Sequence, residues 1–282
     1  VSITENFLGV RSLKWFYREG IPNTDSDRPP VLFLHGLPAQ SLTWCELMPG
    51  LAEKGLRAIA PDWIGSGFSA KPERRDFAYT ADAYLEALSA FIEALALEKL
   101  SVVVQGFVGS VGIQYALRHP DAIDRLVILN APLSSTAKLP WQMRQWGLPL
   151  IGDMLTQDPL LVDRTLEGGS GFVIADKTLE IYRKPFLTTS ASGRALVATI
   201  QNLKLTEAMA QIETGLSNWT KPTLIIWGMA DPWLSADSAE QLASAKDNIE
   251  LFKLKAAKHY PQEHWSKEIS SVLTNFLRRQ TS

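Results

Sequence analysis

Two side chains in this sequence have the type and setting for acid–base chemistry. Asp231 follows the apolar run PTLIIWG (222–228), and His259 lies in a short loop after the run Ile249–Leu254. A carboxylate beside an imidazole orients the ring and stabilises the imidazolium formed when it takes a proton. Taken singly, each has a plainer explanation. Asp231 before Pro232 is a common turn starter, and a lone histidine is more often structural. They lie in the stretches GMADPW (228–233) and AAKHYPQEH (256–264), each just past an apolar run. His119 and His264 are expected at helix ends, capping them or meeting solvent. Cys45 is expected as buried packing rather than as a reactive thiol.

A nucleophile to accompany the pair is expected at a sharp strand–turn–helix, and QGFVGSVG (105–112) has that composition. One register reads VGSVG (108–112) as a relaxed G-x-S-x-G with Ser110 at its centre. That register leaves only about nine residues for a helix ending before Pro120. The other register centres the turn on Gly106, which tolerates a strained backbone but has no side chain with which to attack.

These residues need a scaffold, and the chain supplies short apolar runs alternating with helical patterns. A strand pair is expected over 7–19, with strands at Val31–His35, Leu56–Ala60, Ser101–Gln105 and Leu126–Asn130. Helical patterns fall at 41–54, 81–98 and 108–119, the last stopped by Pro120. Within 81–98, Tyr84, Leu85, Leu88, Phe91, Ile92 and Leu95 form a stripe that one helix face can bury. The alternation predicts an α/β fold with a mostly parallel central sheet and helices on both faces. It breaks over 133–216, where helical patterns are separated by Pro and Gly. It returns with the strand at 222–228, a helix near 235–244, the strand at 249–254 and a helix at 263–279. HGLP (35–38), the turn at 105–112, Asp231 and His259 all fall at strand ends, where open parallel sheets bind ligands.

The stretches HGLPAQSLTW, PDWIGSGFSAKP, VVVQGFVGSVGIQYALRHP, LIIWGMADPW and HYPQEHW resemble the haloalkane dehalogenase and epoxide hydrolase branch of the α/β-hydrolases. The resemblance covers nearly all of 7–278 and is weakest over 133–216, which corresponds to that family's helical cap. It implies a core in two parts, 1–132 and 217–282, with the cap between them. In the family the proline lies about fourteen residues after the nucleophile, which selects Gly106 as the aligned position and makes Ser110 an ordinary helix residue. The family's aspartate, or its relatives' serine, is therefore absent. The resemblance also implies a backbone oxyanion hole from the N–H groups of Leu37 and Phe107. The dehalogenases place a tryptophan after the nucleophile and often an asparagine after HG to hold the departing halide. Phe107 and Leu37 stand there instead, and neither side chain donates a hydrogen bond. Tyr182 in IYRKPF and Trp141 are the cap side chains expected at the pocket.

Composition narrows the field further. A net charge of −2 gives no reason to expect nucleic acid or an anionic membrane as partner. One cysteine excludes an intrachain disulfide framework, and the four histidines form no metal-ligand cluster, so neither metal nor cofactor is expected. No basic cluster precedes an apolar run near the first residues, and no run approaches the about 20 residues of a membrane span. A cytoplasmic protein holding a small apolar molecule under the cap is the expectation, with no protein partner identifiable. Three functions stay open: a hydrolase working without a covalent intermediate, a non-catalytic binder or scaffold, and an ordinary hydrolase in which Gly106 replaces the nucleophile.

Overall fold

A computed structural model describes residues 1–24 and 26–279. The chain opens with an antiparallel pair, β1 (Ile3–Val10) and β2 (Leu13–Gly20), and then β3 (Val31–Leu34). The helical pattern expected over 41–54 divides into a 3-10 turn at Ser41–Trp44 and α1 (Met48–Glu53). Pro49 is the cause: it lacks an N–H and suits the first turn of a new helix rather than the interior of a longer one. There follow β4 (Ala58–Pro61), α2 (Ala81–Ala94), β5 (Leu100–Gln105), α3 (Gly106–Arg118) and β6 (Ile123–Leu129). Thr80 caps α2, its hydroxyl oxygen accepting from the Ala83 N–H at 3.2 Å.

Between β6 and β7 lie α4 (Trp141–Gln145), α5 (Ile151–Thr156), α6 (Leu160–Ser170), α7 (Asp176–Thr188), α8 (Ala191–Asn202) and α9 (Leu205–Ser217). The chain closes with β7 (Thr223–Gly228), α10 (Asp237–Ala245), β8 (Ile249–Leu254), a 3-10 turn at Pro261–Glu263 and α11 (Ser266–Arg278). No described helix is long and apolar enough to cross a membrane.

The strands form one sheet in the order β1-β2-β4-β3-β5-β6-β7-β8. Pairing is antiparallel from β1 to β4 and parallel from there on. Strands β3, β4, β5 and β7 are buried along their whole length, which is why they read as continuous apolar runs rather than alternating ones. Successive side chains still point to opposite faces. Leu32, Leu34, Val102 and Val104 pack with α2 and α3, while Val31, Phe33 and Val103 pack with α1 and α11. On α11, Ile269, Leu273, Phe276 and Leu277 make the buried stripe, each contributing about 1.5–3 kcal/mol by leaving water.

The strand order places the functional crevice. From β3 the chain steps outward to β4, then crosses back to β5 on the other side of β3. The gap between the carboxyl ends of β3 and β5 is thus a topological switch point, where open α/β sheets leave room for a ligand. His35-Gly36-Leu37 emerges from one side of that gap and Gly106-Phe107 from the other.

Candidate functional site

Gly106 is the first residue of α3, directly after β5, with φ of +70°. That left-handed conformation is strained for any residue with a β-carbon, and glycine adopts it freely. Gly36 is needed for a different reason. A β-carbon there would lie 3.1 Å from the Gly106 Cα, so only glycine lets the two loops approach this closely.

His259 reaches the same point from the end of β8. Its ring is fully buried, and Nδ1 lies 2.8 Å from Asp231 Oδ2. The carboxylate is held at both oxygens. Oδ1 accepts the backbone N–H groups of Trp233 (2.8 Å) and Leu234 (3.1 Å), and Oδ2 accepts the Asn130 amide at 2.8 Å. Since a carboxylate only accepts, Nδ1 carries the imidazole proton and Nε2 holds the lone pair. Nε2 is buried and has no hydrogen-bond partner among the described residues. A β-carbon built on Gly106 would lie 3.6 Å from it.

Aromatic rings fix the imidazole in place. Phe107 stacks on it at 5.3 Å between centroids and 24° between planes, while Trp233 and Tyr260 close in at 4.7 and 4.9 Å. Gln105 donates to the His259 carbonyl at 2.8 Å, joining the histidine loop to the end of β5. Tyr260 donates its hydroxyl to the Leu37 carbonyl at 2.5 Å, joining the same loop to the β3 side of the gap. Phe107 stands in the first turn of α3, where backbone N–H groups lack intrahelical acceptors. Among the described residues no acceptor is paired with the N–H of either Leu37 or Phe107.

His35 shapes the loop that carries Leu37. Its Nδ1 donates to the Gly36 carbonyl at 2.8 Å, and Nε2 accepts the Trp63 N–H at 3.1 Å. Burial pushes its pKa down, so the ring stays neutral in that bridging role. Asp62 braces the neighbouring loop by accepting from the N–H groups of Ser41 and Phe68, both at 2.7 Å.

The structure therefore brings Asp231, His259, Gly106, Leu37 and Phe107 together. Ser110 is apart from them, inside α3, with its hydroxyl donated to the Phe107 carbonyl at 2.5 Å. Cys45 is half-buried, and burial pushes its thiol up to about 11, which leaves it protonated at neutral pH.

The two side chains expected at the pocket are placed otherwise. Trp141 is 62% exposed with the Arg144 guanidinium 5.3 Å from its ring, so it faces solvent on α4. Tyr182 is buried against Ala39, Val162, Leu166 and Tyr260, and its hydroxyl donates to Glu263 Oε1 at 2.6 Å. Thr43 donates to the same oxygen at 2.5 Å. The tyrosine thus ties α7 to the histidine loop and has no free donor for a pocket.

Asn130 is the main participant that sequence reasoning passed over. Its side chain also accepts the Gly228 N–H at 2.8 Å, joining the ends of β6 and β7 around the acid. A polar residue directly after the run LVIL (126–129) was the available signal, much as a polar residue at a strand end marked Asp231.

A family model described as the alpha/beta hydrolase fold matches residues 29–264. A haloalkane dehalogenase of Bradyrhizobium diazoefficiens is 28% identical over 281 residues, covering 89% of this chain and 87% of that protein. A haloalkane dehalogenase of Mycobacterium marinum is 31% identical over 217 residues, covering 74% of this chain and 71% of that protein. The crystal structure of a putative ancestral haloalkane dehalogenase superposes with a TM-score of 0.84 at 28% identity, covering 96% of this chain and 98% of that one. The chain belongs to the α/β-hydrolase fold family, in the branch that resembles the haloalkane dehalogenases.

Proposed function

We propose that the protein hydrolyses a small apolar carbonyl compound by general-base catalysis, without a covalent intermediate. One observation carries the reading: a buried His259 Nε2, without a partner among the described residues, lies 3.6 Å from the position that a β-carbon on Gly106 would fill. In this reading a water molecule stands at that position. In the proposed step that water attacks the substrate carbonyl carbon and gives its proton to Nε2. The carbonyl oxygen becomes an oxyanion and accepts the N–H groups of Leu37 and Phe107. Collapse of the tetrahedral species breaks the bond to the leaving oxygen, which takes the proton back from Nε2.

The magnitudes suffice for real though modest activity. General-base catalysis contributes about 10²–10⁴-fold, and an oxyanion donor about 10²–10³-fold. The helices between β6 and β7 would roof the site and exclude bulk water. Dehalogenation, the activity in the relatives' names, is not part of the proposal. It needs a carboxylate at position 106 and side-chain donors for halide, and Gly106, Phe107 and Leu37 supply neither.

A second reading is a non-catalytic ligand-binding or protein-interaction scaffold. The observation in its favour is the run of exposed apolar side chains on and beside α4 and α5, with Leu150 at 84% and Met154 at 68% exposure. Pre-steady-state kinetics on an activated aryl ester tests the mechanism. The proposal expects linear product release from the first turnover and an unmodified protein mass. A burst equal to the enzyme concentration, or a trapped acyl adduct, contradicts it.

A further inference from the structure

A cavity of about 470 Å3 opens between α4–α6 and the loop after β7, and its size is that of a small-molecule site. Trp233 belongs both to its wall and to the aromatic cage around His259. Met143, Trp146 and Leu161 give it an apolar body. Its charged lining is of one sign: Lys258 and Arg164 contribute to it, and no carboxylate does. The two cations differ in how they are satisfied. Arg164 is exposed and pairs with Asp158 at 2.6 Å. Lys258 is half-buried and forms no ion pair or side-chain hydrogen bond among the described residues. It is also the residue immediately before His259.

Lys258 has a structural neighbour that must be weighed. Its stem and its ammonium both lie over Gly171, which ends α6 in a left-handed conformation: a β-carbon built there would be 2.9 Å from Cδ and 3.2 Å from Nζ. A cation near a helix C-terminus is favoured by the helix dipole. That interaction accounts for where the side chain lies. Lys258 also forms part of the wall of the cavity, where neutral Gln142, Gln145 and Thr165 stand beside the apolar side chains and no carboxylate contributes.

We infer that this cavity takes an amphipathic carboxylate, its charged end at Lys258 and its chain along Met143, Trp146, Leu161 and Trp233. The inference rests on the hydrolysis proposed at His259, whose aromatic cage meets this cavity at Trp233, and it narrows the substrate to a carbonyl compound that carries a carboxylate on its apolar chain. A half-buried charge pair is less screened than a surface one and acts chiefly as a selectivity element.

Calorimetric titration with octanoate and with its neutral isostere octanamide tests the inference without requiring turnover. Octanoate is expected to bind the wild-type protein about ten-fold more tightly than octanamide at neutral pH. Lys258→Met and Lys258→Gln should bring the ratio near one, and Lys258→Arg should keep most of it. Two non-ionic replacements and one charged one guard against a single variant that fails to fold. Equal affinities in the wild type, no saturable octanoate binding, or an undiminished ratio in Lys258→Met would each overturn it. A ratio unchanged beside a lowered melting temperature would assign Lys258 to the α6 terminus alone. Loss of ester turnover in His259→Ala is read separately, so the catalytic reading and this one fail independently.

Discussion

The β-carbon position of Gly106 lies 3.6 Å from Nε2 of His259, the separation on which the proposed general-base role of His259 rests. Around it Asp231 accepts from Nδ1, and among the described residues neither Nε2 nor the N–H groups of Leu37 and Phe107 have a hydrogen-bond partner.

That relationship predicts a gain of reactivity in Gly106→Ser. The hydroxyl would come within hydrogen-bond reach of Nε2, the geometry that activates a serine. The cost is the φ of +70° and an approach of 3.0 Å to the Gly36 Cα. Such strain costs about 1–3 kcal/mol, a loss of roughly 2–10 °C in melting temperature for a domain of this size. The folded variant should be labelled at position 106 by a fluorophosphonate, and adding His259→Ala should abolish labelling. The wild type should not be labelled. A folded variant inert to the reagent would show that Nε2 does not reach position 106.

Asn130→Ala should weaken the acid without touching the ligand. It removes a 2.8 Å donor from Asp231 Oδ2 and leaves the Gly228 N–H without its acceptor. An unsatisfied buried group costs about 1–3 kcal/mol. The φ of +36° at Asn130, tolerated by asparagine better than by alanine, adds to that. Urea unfolding should show the loss, and any ester turnover should fall in kcat with KM little changed. A rise in KM at constant kcat would place Asn130 in binding rather than in orienting Asp231.

Glu263 predicts a pH dependence of stability. Burial beneath α7 pushes its pKa up, against the hydroxyls of Thr43 and Tyr182, which pull it down, while Glu46 pushes it further up. The folded state therefore holds the proton to higher pH than the unfolded chain does, and stability declines as pH rises through that window. Glu263→Gln keeps an acceptor for both hydroxyls and cannot ionise. Melting temperatures measured from pH 4 to 8 should show the wild type losing ground to the variant as pH rises above about 4.5. Parallel curves would mean that Glu263 titrates alike in both states.

The central strands were legible because both of their faces are buried, which makes VLFL, SVVVQ and TLIIWG continuous apolar runs. Asp231 and His259 were legible because strand ends in a parallel sheet converge on one crevice. What stayed hidden depends on tertiary partners. Asn130 gains its role only because β6 lies beside β7, and asparagine after a strand otherwise reads as a turn former. Tyr182 looked available as a donor because its acceptor, Glu263, lies on another element 81 positions away. Trp141 lies on the short helix Trp141–Gln145, where a period of 3.6 residues cannot reveal which side faces the core.

The most direct measurement is turnover on a panel of aryl esters, epoxides and haloalkanes, comparing the wild type with His259→Ala. The account predicts ester hydrolysis above the uncatalysed rate in the wild type, its fall by about 10²–10⁴-fold in the variant, and no halide release from either protein. Ester hydrolysis that persists in His259→Ala, or is absent from both proteins, would contradict it and leave the ligand-binding scaffold as the surviving reading.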